Sequence, residues 1–258
     1  MDSNTSSGQR LWLVTGASSG IGRAIALQLA AAGDRVIAWG RDAERLAALQ
    51  AQVPGIVDTG CVDLDDLDAL PQALQQGLAR WPTLNGLVHC AGIQRERLFD
   101  AEGYGAAAIA EELRINLAAP LILTQALLPQ LRRQSREPGG ARLVLVTSAL
   151  AHAPKRHAAV YNASKAGLAV FVQSLRAQLQ RELQAPALQL MELIPPLVDT
   201  PMTAGRGRHK LPPEAVAAAL LRTLRRPRLP AQLWVGRAAL LPWLLRLAPA
   251  QTRRLMLR

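Results

Sequence analysis

The chain has 258 residues, room for one large domain or two small ones, and its 30 Lys and Arg against 19 Asp and Glu leave a net charge of +11. At 50% hydrophobic and 19% charged, with a mean hydropathy of +0.09, it can bury a sizeable core and is not a disordered basic tail. No apolar run approaches the roughly 18 residues of a membrane span, and Met1 to Arg10 is polar with no signal-peptide core, so a cytoplasmic location is expected. Cys61 and Cys90 form neither a disulfide framework nor a zinc ligand set; each is expected reduced, on a buried strand.

Short runs rich in apolar and β-branched residues recur along the chain: Leu11–Thr15, Val36–Gly40, Thr59–Val62, Gly86–Ala91, Leu143–Thr147, Leu188–Ile194 and Leu233–Val235. Between them, Ile21–Ala32, Ala43–Gln52, Leu67–Arg80, Ala106–Arg133 and Val160–Gln184 repeat Ala and Leu at helical spacing. Strand alternating with helix predicts an α/β fold, a doubly wound parallel sheet of about seven strands covered on both faces. Arg136–Gly140 reads as a surface insertion, and Pro195–Pro213 as a long loop of the kind that forms lids.

The first strand runs into Thr15-Gly16-Ala17-Ser18-Ser19-Gly20-Ile21-Gly22 and then a helix. Glycines at such a junction allow a tight turn, close approach of a pyrophosphate and close helix packing, with free N–H groups facing the anion. After the second strand, where an acid usually holds the ribose of NAD, stands Arg41. A guanidinium suits a 2′-phosphate, which favours NADP(H) over NAD(H); Arg41 as a solvated turn residue is the alternative. Asp63, after the third strand, is either an acceptor for the adenine amine or the N-cap of the next helix.

Tyr161 and Lys165, four residues apart, share one helix face, and Ser148 ends a strand where open α/β sheets bind ligands. With Thr15–Gly22, Asn116, Ser148, Tyr161 and Lys165 in this order, the sequence resembles the short-chain dehydrogenase/reductase family over about residues 10–237. The resemblance implies a single Rossmann-type domain over 10–237, a flexible N-terminus over 1–9 and a C-terminal extension over 238–258. It implies that Tyr161 is the general acid or base, that Lys165 holds the nicotinamide ribose and draws the phenol toward phenolate, that Ser148 hydrogen-bonds the substrate carbonyl, and that Asn116 steadies a relay water. The cofactor would carry the hydride. Cofactor contacts are implied for Gly16, Ser18, Ser19, Gly20, Ile21, Gly22, Arg41, Asp63, Ala91, Gly92, Asn116, Tyr161, Lys165, Val198 and Thr200, and a homo-oligomer, dimer or tetramer, is expected.

Two departures stand out. Cys90-Ala91-Gly92 replaces the family's Asn-Ala-Gly, altering support for the pocket, and Pro195-Pro196 replaces a Pro-Gly, so the loop beside the nicotinamide must run differently. The Pro-Pro-Leu-Val-Asp-Thr segment with Trp234-Val235-Gly236 is similar to a subgroup that includes oxidoreductases named for D-alanine esterification. Tyr104 is poorly placed for catalysis, and the four histidines have no metal-ligand spacing.

The expected activity is reduction of a ketone or aldehyde with NADPH, or the reverse oxidation. The rivals are an NAD-linked alcohol dehydrogenase and a non-catalytic dinucleotide-binding scaffold. Substrate contacts are expected from 94–102, 149–158 and 201–213, whose cations either attract an anionic substrate or are solvated. All acids lie at or before Glu214 and residues 215–258 carry nine arginines, so only +2 of the charge belongs to the rest of the chain. No nucleic-acid partner is expected, since the aromatics do not interleave with arginines. The extension 238–258 reads as two short helices broken by Pro242 and Pro249, which pack over the chain's own or a neighbour's pocket, lie on an anionic membrane, or meet an acidic partner.

Overall fold

The computed structural model describes residues 9–181 and 188–257. The expected flexible N-terminus lies outside the described residues except for Gln9, as does the expected helix beyond Arg181. Over the described residues, β1 (Leu11–Thr15), β2 (Arg35–Gly40), β3 (Ile56–Cys61), β4 (Gly86–His89), β5 (Ala141–Val146), β6 (Leu188–Ile194) and β7 (Gln232–Trp234) form one parallel sheet in the order β3-β2-β1-β4-β5-β6-β7. The order reverses between β1 and β4, which opens a crevice at their C-terminal ends.

Alternation along the strands divides the core. Trp12, Val14, Val36, Val88, Val144 and Met191 face one layer, closed by α1 (Gly20–Ala31), α2 (Ala43–Gln52) and α7 (Pro213–Leu224). Leu11, Leu13, Ile37, Leu87, Leu143 and Leu190 face the other, closed by α3 (Leu70–Arg80), α5 (Ala119–Gln134) and α6 (Ala159–Arg181). The chain continues through α8 (Leu241–Leu247) and α9 (Pro249–Met256). Pro242 and Pro249 sit in the first turns of these helices, where a missing N–H costs nothing, so they start the helices rather than break them.

Four expectations need correction. Ala106–Arg133 is not one helix: α4 (Ala106–Leu113) passes through a π turn, Arg114–Ala118, before α5. Pro120 has no N–H to offer the Asn116 carbonyl four residues earlier, so the α register cannot run through this point unbroken. The third helix begins at Leu70 instead of Leu67, behind a turn in which Asp66 accepts the Ala69 N–H. The loop expected over Pro195–Pro213 ends one residue early, because Pro213 already sits in the first turn of α7. Cys61 is exposed at the end of the edge strand β3, not buried.

Trp12 fixes the β1–β4 spacing. It pairs in register with Gly86, its indole is fully buried, and its Nε1 donates to Asp34 Oδ2 at 3.0 Å. A Cβ on Gly86 would stand 2.3 Å from the Trp12 ring, so the glycine is what admits the indole. Gly86→Ala is therefore expected to lower stability by about 1–3 kcal/mol, as overpacked cores do, read as a lower urea midpoint with unchanged slope.

Candidate active site

The turn between β1 and α1 is built on three glycines, each for a different steric reason. Gly16 has φ +69°, and a Cβ there would lie 2.9 Å from the Ala91 backbone. Gly20 has φ +53° and faces the Thr200 methyl, where a Cβ would stand 3.0 Å away; on Gly22 a Cβ would reach within 2.3 Å of the Gly16 carbonyl oxygen. Side chains at these positions would fill the cradle, which fits the close approach of a pyrophosphate to backbone N–H groups.

Thr15 ties this turn to β4. Its Oγ1 accepts the N–H groups of Cys90 and Ala91, both at 3.2 Å, and lies 3.0 Å from His89 Nδ1. Both lone pairs are used by the amides, so the hydroxyl proton goes to Nδ1 and the His89 proton sits on Nε2. That Nε2 is buried without a partner among the described residues, and burial with the nearby Lys165 charge pushes the His89 pKa down to about 3. Because Thr15 takes the two amides, β4 ends at His89 rather than at Ala91.

A cleft of about 380 Å³ runs from the glycine turn past the end of β5. Of the expected residues, Gly16, Ser19, Gly20, Ile21, Gly22, Ala91, Gly92, Ser148, Tyr161, Val198 and Thr200 line it. Ser18 and Arg41 line an adjoining crevice that shares Gly16, Ser19, Ala91 and Gly92 with the cleft. Asp42, beside Arg41, is committed to capping α2, where it accepts the Arg45 N–H at 3.0 Å and pairs with the Arg45 guanidinium. Asp63 lines neither space. It accepts the Asp65 N–H at 3.0 Å, closing a tight turn, and is not the N-cap of α3.

Asn116 and Lys165 lie buried behind the cleft wall. The π turn aims the Asn116 side chain at the chain after β4: Oδ1 accepts the Ile93 N–H and Nδ2 donates to the Ile93 carbonyl, both at 2.8 Å. Its side chain thus holds this backbone in place beside Gly92. Lys165 Nζ donates to the Val146 carbonyl at 3.1 Å and stands 6.0 Å from the Tyr161 ring centre; burial lowers its pKa to about 8.

Ser148 caps the short turn Ala149–Ala151 by accepting the Leu150 N–H at 3.1 Å, and it lines the cleft beside Tyr161, whose phenol it pulls downward in pKa. Burial pushes the Tyr161 phenol up to about 12, against the opposing pull of Ser148 and Arg206. Desolvation outweighs the lowering pull of Ser148 and Arg206. Tyr161 rests here as an acid with its proton in place.

Behind Ser148, a buried carboxylate anchors the segment. Thr147 Oγ1 donates to Glu192 Oε1 at 2.6 Å, Gln232 donates to Oε2 at 2.8 Å, and His152 Nε2 stands 3.3 Å from Oε1. Burial raises the Glu192 pKa, but these hydrogen bonds outweigh it and hold the carboxyl below its usual range. His152 also packs against Trp234, 4.7 Å between ring centres.

The cations expected to face an anionic substrate are largely spoken for. Lys155 and, at 3.1 Å, Arg206 both pair with Glu96, and Arg206 also bonds the Gln94 side chain at 3.0 Å and its carbonyl at 3.2 Å. Glu96 thus bridges the two sides of the cleft mouth. The expected lid is stitched at its base: Val198 bridges Leu211, and Lys210 Nζ donates to the Thr203 carbonyl at 2.7 Å. Leu150, Pro195, Pro196, Leu197 and Met202 make the wall largely apolar, and Met256 of α9 reaches it too.

Comparison with known proteins agrees with this architecture. Residues 10–211 match the family described as short chain dehydrogenase, and the chain belongs to that family of oxidoreductases. It is 36% identical over 188 residues, 73% of this chain and 71% of the relative, to the uncharacterized oxidoreductase DltE of Bacillus subtilis. A short-chain dehydrogenase structure from Streptomyces avermitilis superposes with a TM-score of 0.82 at 26% identity, covering 95% of each chain. One from Burkholderia cenocepacia, solved in complex with NADP, gives a TM-score of 0.82 at 21% identity over 97% of this chain and 98% of that one.

Sequence reasoning missed Glu192, Glu96 and the part played by Thr15. Glu192 had a signal, a lone acid inside the apolar run Leu188–Ile194; Glu96 had none, because its partners lie far away in the chain. The buried neutral His89 sets a pH dependence. The unfolded imidazole titrates near 6.5 and the folded one near 3, so the unfolded chain binds the extra proton between these values and stability falls as pH drops through that window. His89→Gln is expected to flatten the fall between pH 6.5 and 3 by up to about 1.4 kcal/mol per pH unit, measured as urea unfolding free energy against pH for both proteins.

Proposed function

We propose that the protein reduces a ketone or aldehyde to an alcohol with NADPH. The observation that carries this reading is the buried Tyr161, its phenol pushed up to about 12, standing with Ser148 at the wall of an apolar cleft that continues into the glycine turn. When bound, the cofactor supplies the hydride that adds to the carbonyl carbon. Ser148 and Tyr161 hold the carbonyl oxygen between their hydroxyls, and Tyr161 donates its proton to that oxygen as charge develops on it. A phenol held near 12 keeps this proton until the substrate oxygen becomes basic enough to take it. Lys165, buried and four residues along the same helix face, is suited to hold the ribose hydroxyls at the nicotinamide end of the cleft. Asn116 keeps Gly92 and Ile93 in place behind it.

Preference for NADPH rests on Arg41, whose crevice adjoins the glycine turn and whose acidic neighbour Asp42 is occupied at the α2 cap. Asp65, the carboxylate that feels the Arg41 charge, is itself bonded by the Arg114 guanidinium at 2.7 Å, and a guanidinium such as Arg41 recognises a phosphate well. The relative from Burkholderia cenocepacia, solved with NADP, is consistent with this choice. The apolar wall and the Glu96 bridge, which uses up Lys155 and Arg206, favour an uncharged carbonyl over an anionic one.

The test is a panel of ketones and aldehydes scored by loss of NADPH absorbance, with Tyr161→Phe alongside the native protein. The variant is expected to lose at least about 10²-fold in kcat on any substrate found, while binding NADPH as tightly as before. Undiminished turnover in Tyr161→Phe would remove the acid role. NADPH binding with no carbonyl consumed across the panel would favour a dinucleotide-binding scaffold.

A further inference from the structure

Half of the large apolar side chains that stand exposed among the described residues fall between Leu240 and Leu257. They are not scattered. Leu240, Trp243, Leu244 and Leu247 follow the spacing i, i+3, i+4, i+7, one continuous stripe along α8 and the turn before it, with Trp243 65% and Leu247 78% exposed. Leu241, off this stripe, is buried and anchors the helix to the body. Thr252 Oγ1 shares its proton between the Ala248 carbonyl at 2.8 Å and the Leu244 carbonyl of α8 at 3.1 Å, which holds α9 against α8. A helix that is apolar on its outer face as well as its inner one needs a second apolar neighbour.

Charge selects that neighbour. Arg237 in the turn before α8, Arg246 on α8, and Arg253 and Arg254 on the adjoining α9 are all exposed, and among the described residues none of them pairs with a carboxylate. No acid occurs anywhere in residues 215–258. A two-fold contact of this face with its own copy would set arginine against arginine. An anionic bilayer instead offers an apolar layer for Trp243 and the leucines and negative headgroups for the arginines at its edge.

We infer that the stripe on α8, with its rim of arginines, docks the protein onto an anionic lipid surface. Met256 of α9 lines the cleft, so the docked element is also part of the cleft wall. Docking does not depend on the proposed reaction, and its test needs no turnover.

The experiment is co-sedimentation of the full chain with phosphatidylcholine vesicles, with and without phosphatidylglycerol. Binding to the phosphatidylglycerol vesicles is expected to be at least about tenfold stronger than to the neutral ones, and to be lost in roughly 0.5 M salt. Trp243→Asp with Leu247→Asp, and separately Arg246→Glu with Arg253→Glu and Arg254→Glu, are each expected to weaken it about tenfold or more. Those side chains are exposed, so thermal melting and NADPH affinity should stay unchanged and exclude a folding defect. No binding to phosphatidylglycerol vesicles, or binding that both variants retain, would overturn the inference. So would a dimer in light scattering that Trp243→Asp dissolves while the native protein ignores vesicles, which would assign the stripe to a second copy.

Discussion

The site hangs on one hydroxyl. Thr15 ends β1 and accepts two consecutive amides from the chain leaving β4, so the two strands that flank the reversal of sheet order are tied where they diverge. That tie brings Ala91 against Gly16 so closely that any side chain at Gly16 would collide with it. Both following segments inherit their position from this contact: the glycine turn with α1 on one side, and Gly92 and Ile93, gripped by Asn116, on the other. His89 takes the remaining hydroxyl proton, and its cost is a buried ring nitrogen with no partner among the described residues. An unsatisfied buried group of this kind costs about 1–3 kcal/mol, tolerable only where the geometry it secures is needed.

The reacting side is held by a second, independent set of contacts. Glu192, deep in β6, ties Thr147 and Gln232 and stands beside His152, so the segment carrying Ser148 is fixed from both of its ends. Lys165 is held to the Val146 carbonyl in the same neighbourhood. Burial does more here than charge. It pushes Tyr161 and the Cys90 thiol each up to about 12, so these two groups at the cleft keep their protons, while Lys165 behind the wall is lowered to about 8. A hydroxyl ready to give a proton to a developing alkoxide is the chemical consequence.

Local patterns announced most of the framework. Each of the seven expected strands has its counterpart, since period-two alternation and intervening helical repeats are properties of short windows. The glycine turn and the set Ser148, Tyr161 and Lys165 were legible because their order and spacing carry the signal. What escaped depended on contacts across the fold. Ala and Leu repeats suit an α or a π register equally, so the break at Asn116 was visible only through Pro120. Pro212 and Pro213 read as loop, although proline in a first turn also starts helices such as α7. Arg206 and Lys155 looked like free cations because nothing local to either reveals Glu96. The upward push of burial on Tyr161 was not legible, because sequence shows the charge of Lys165 but not the depth at which the phenol sits.

The tie at the end of β1 is most directly tested by titrating NADPH into the native protein and into Thr15→Val, which keeps the side chain's shape and removes its acceptor. With the Cys90 and Ala91 amides released, NADPH affinity is expected to fall at least about tenfold while circular dichroism stays that of the folded protein. Equal affinity in the two proteins would show that the crevice forms without the hydroxyl, and would contradict the central role of Thr15 in building the site.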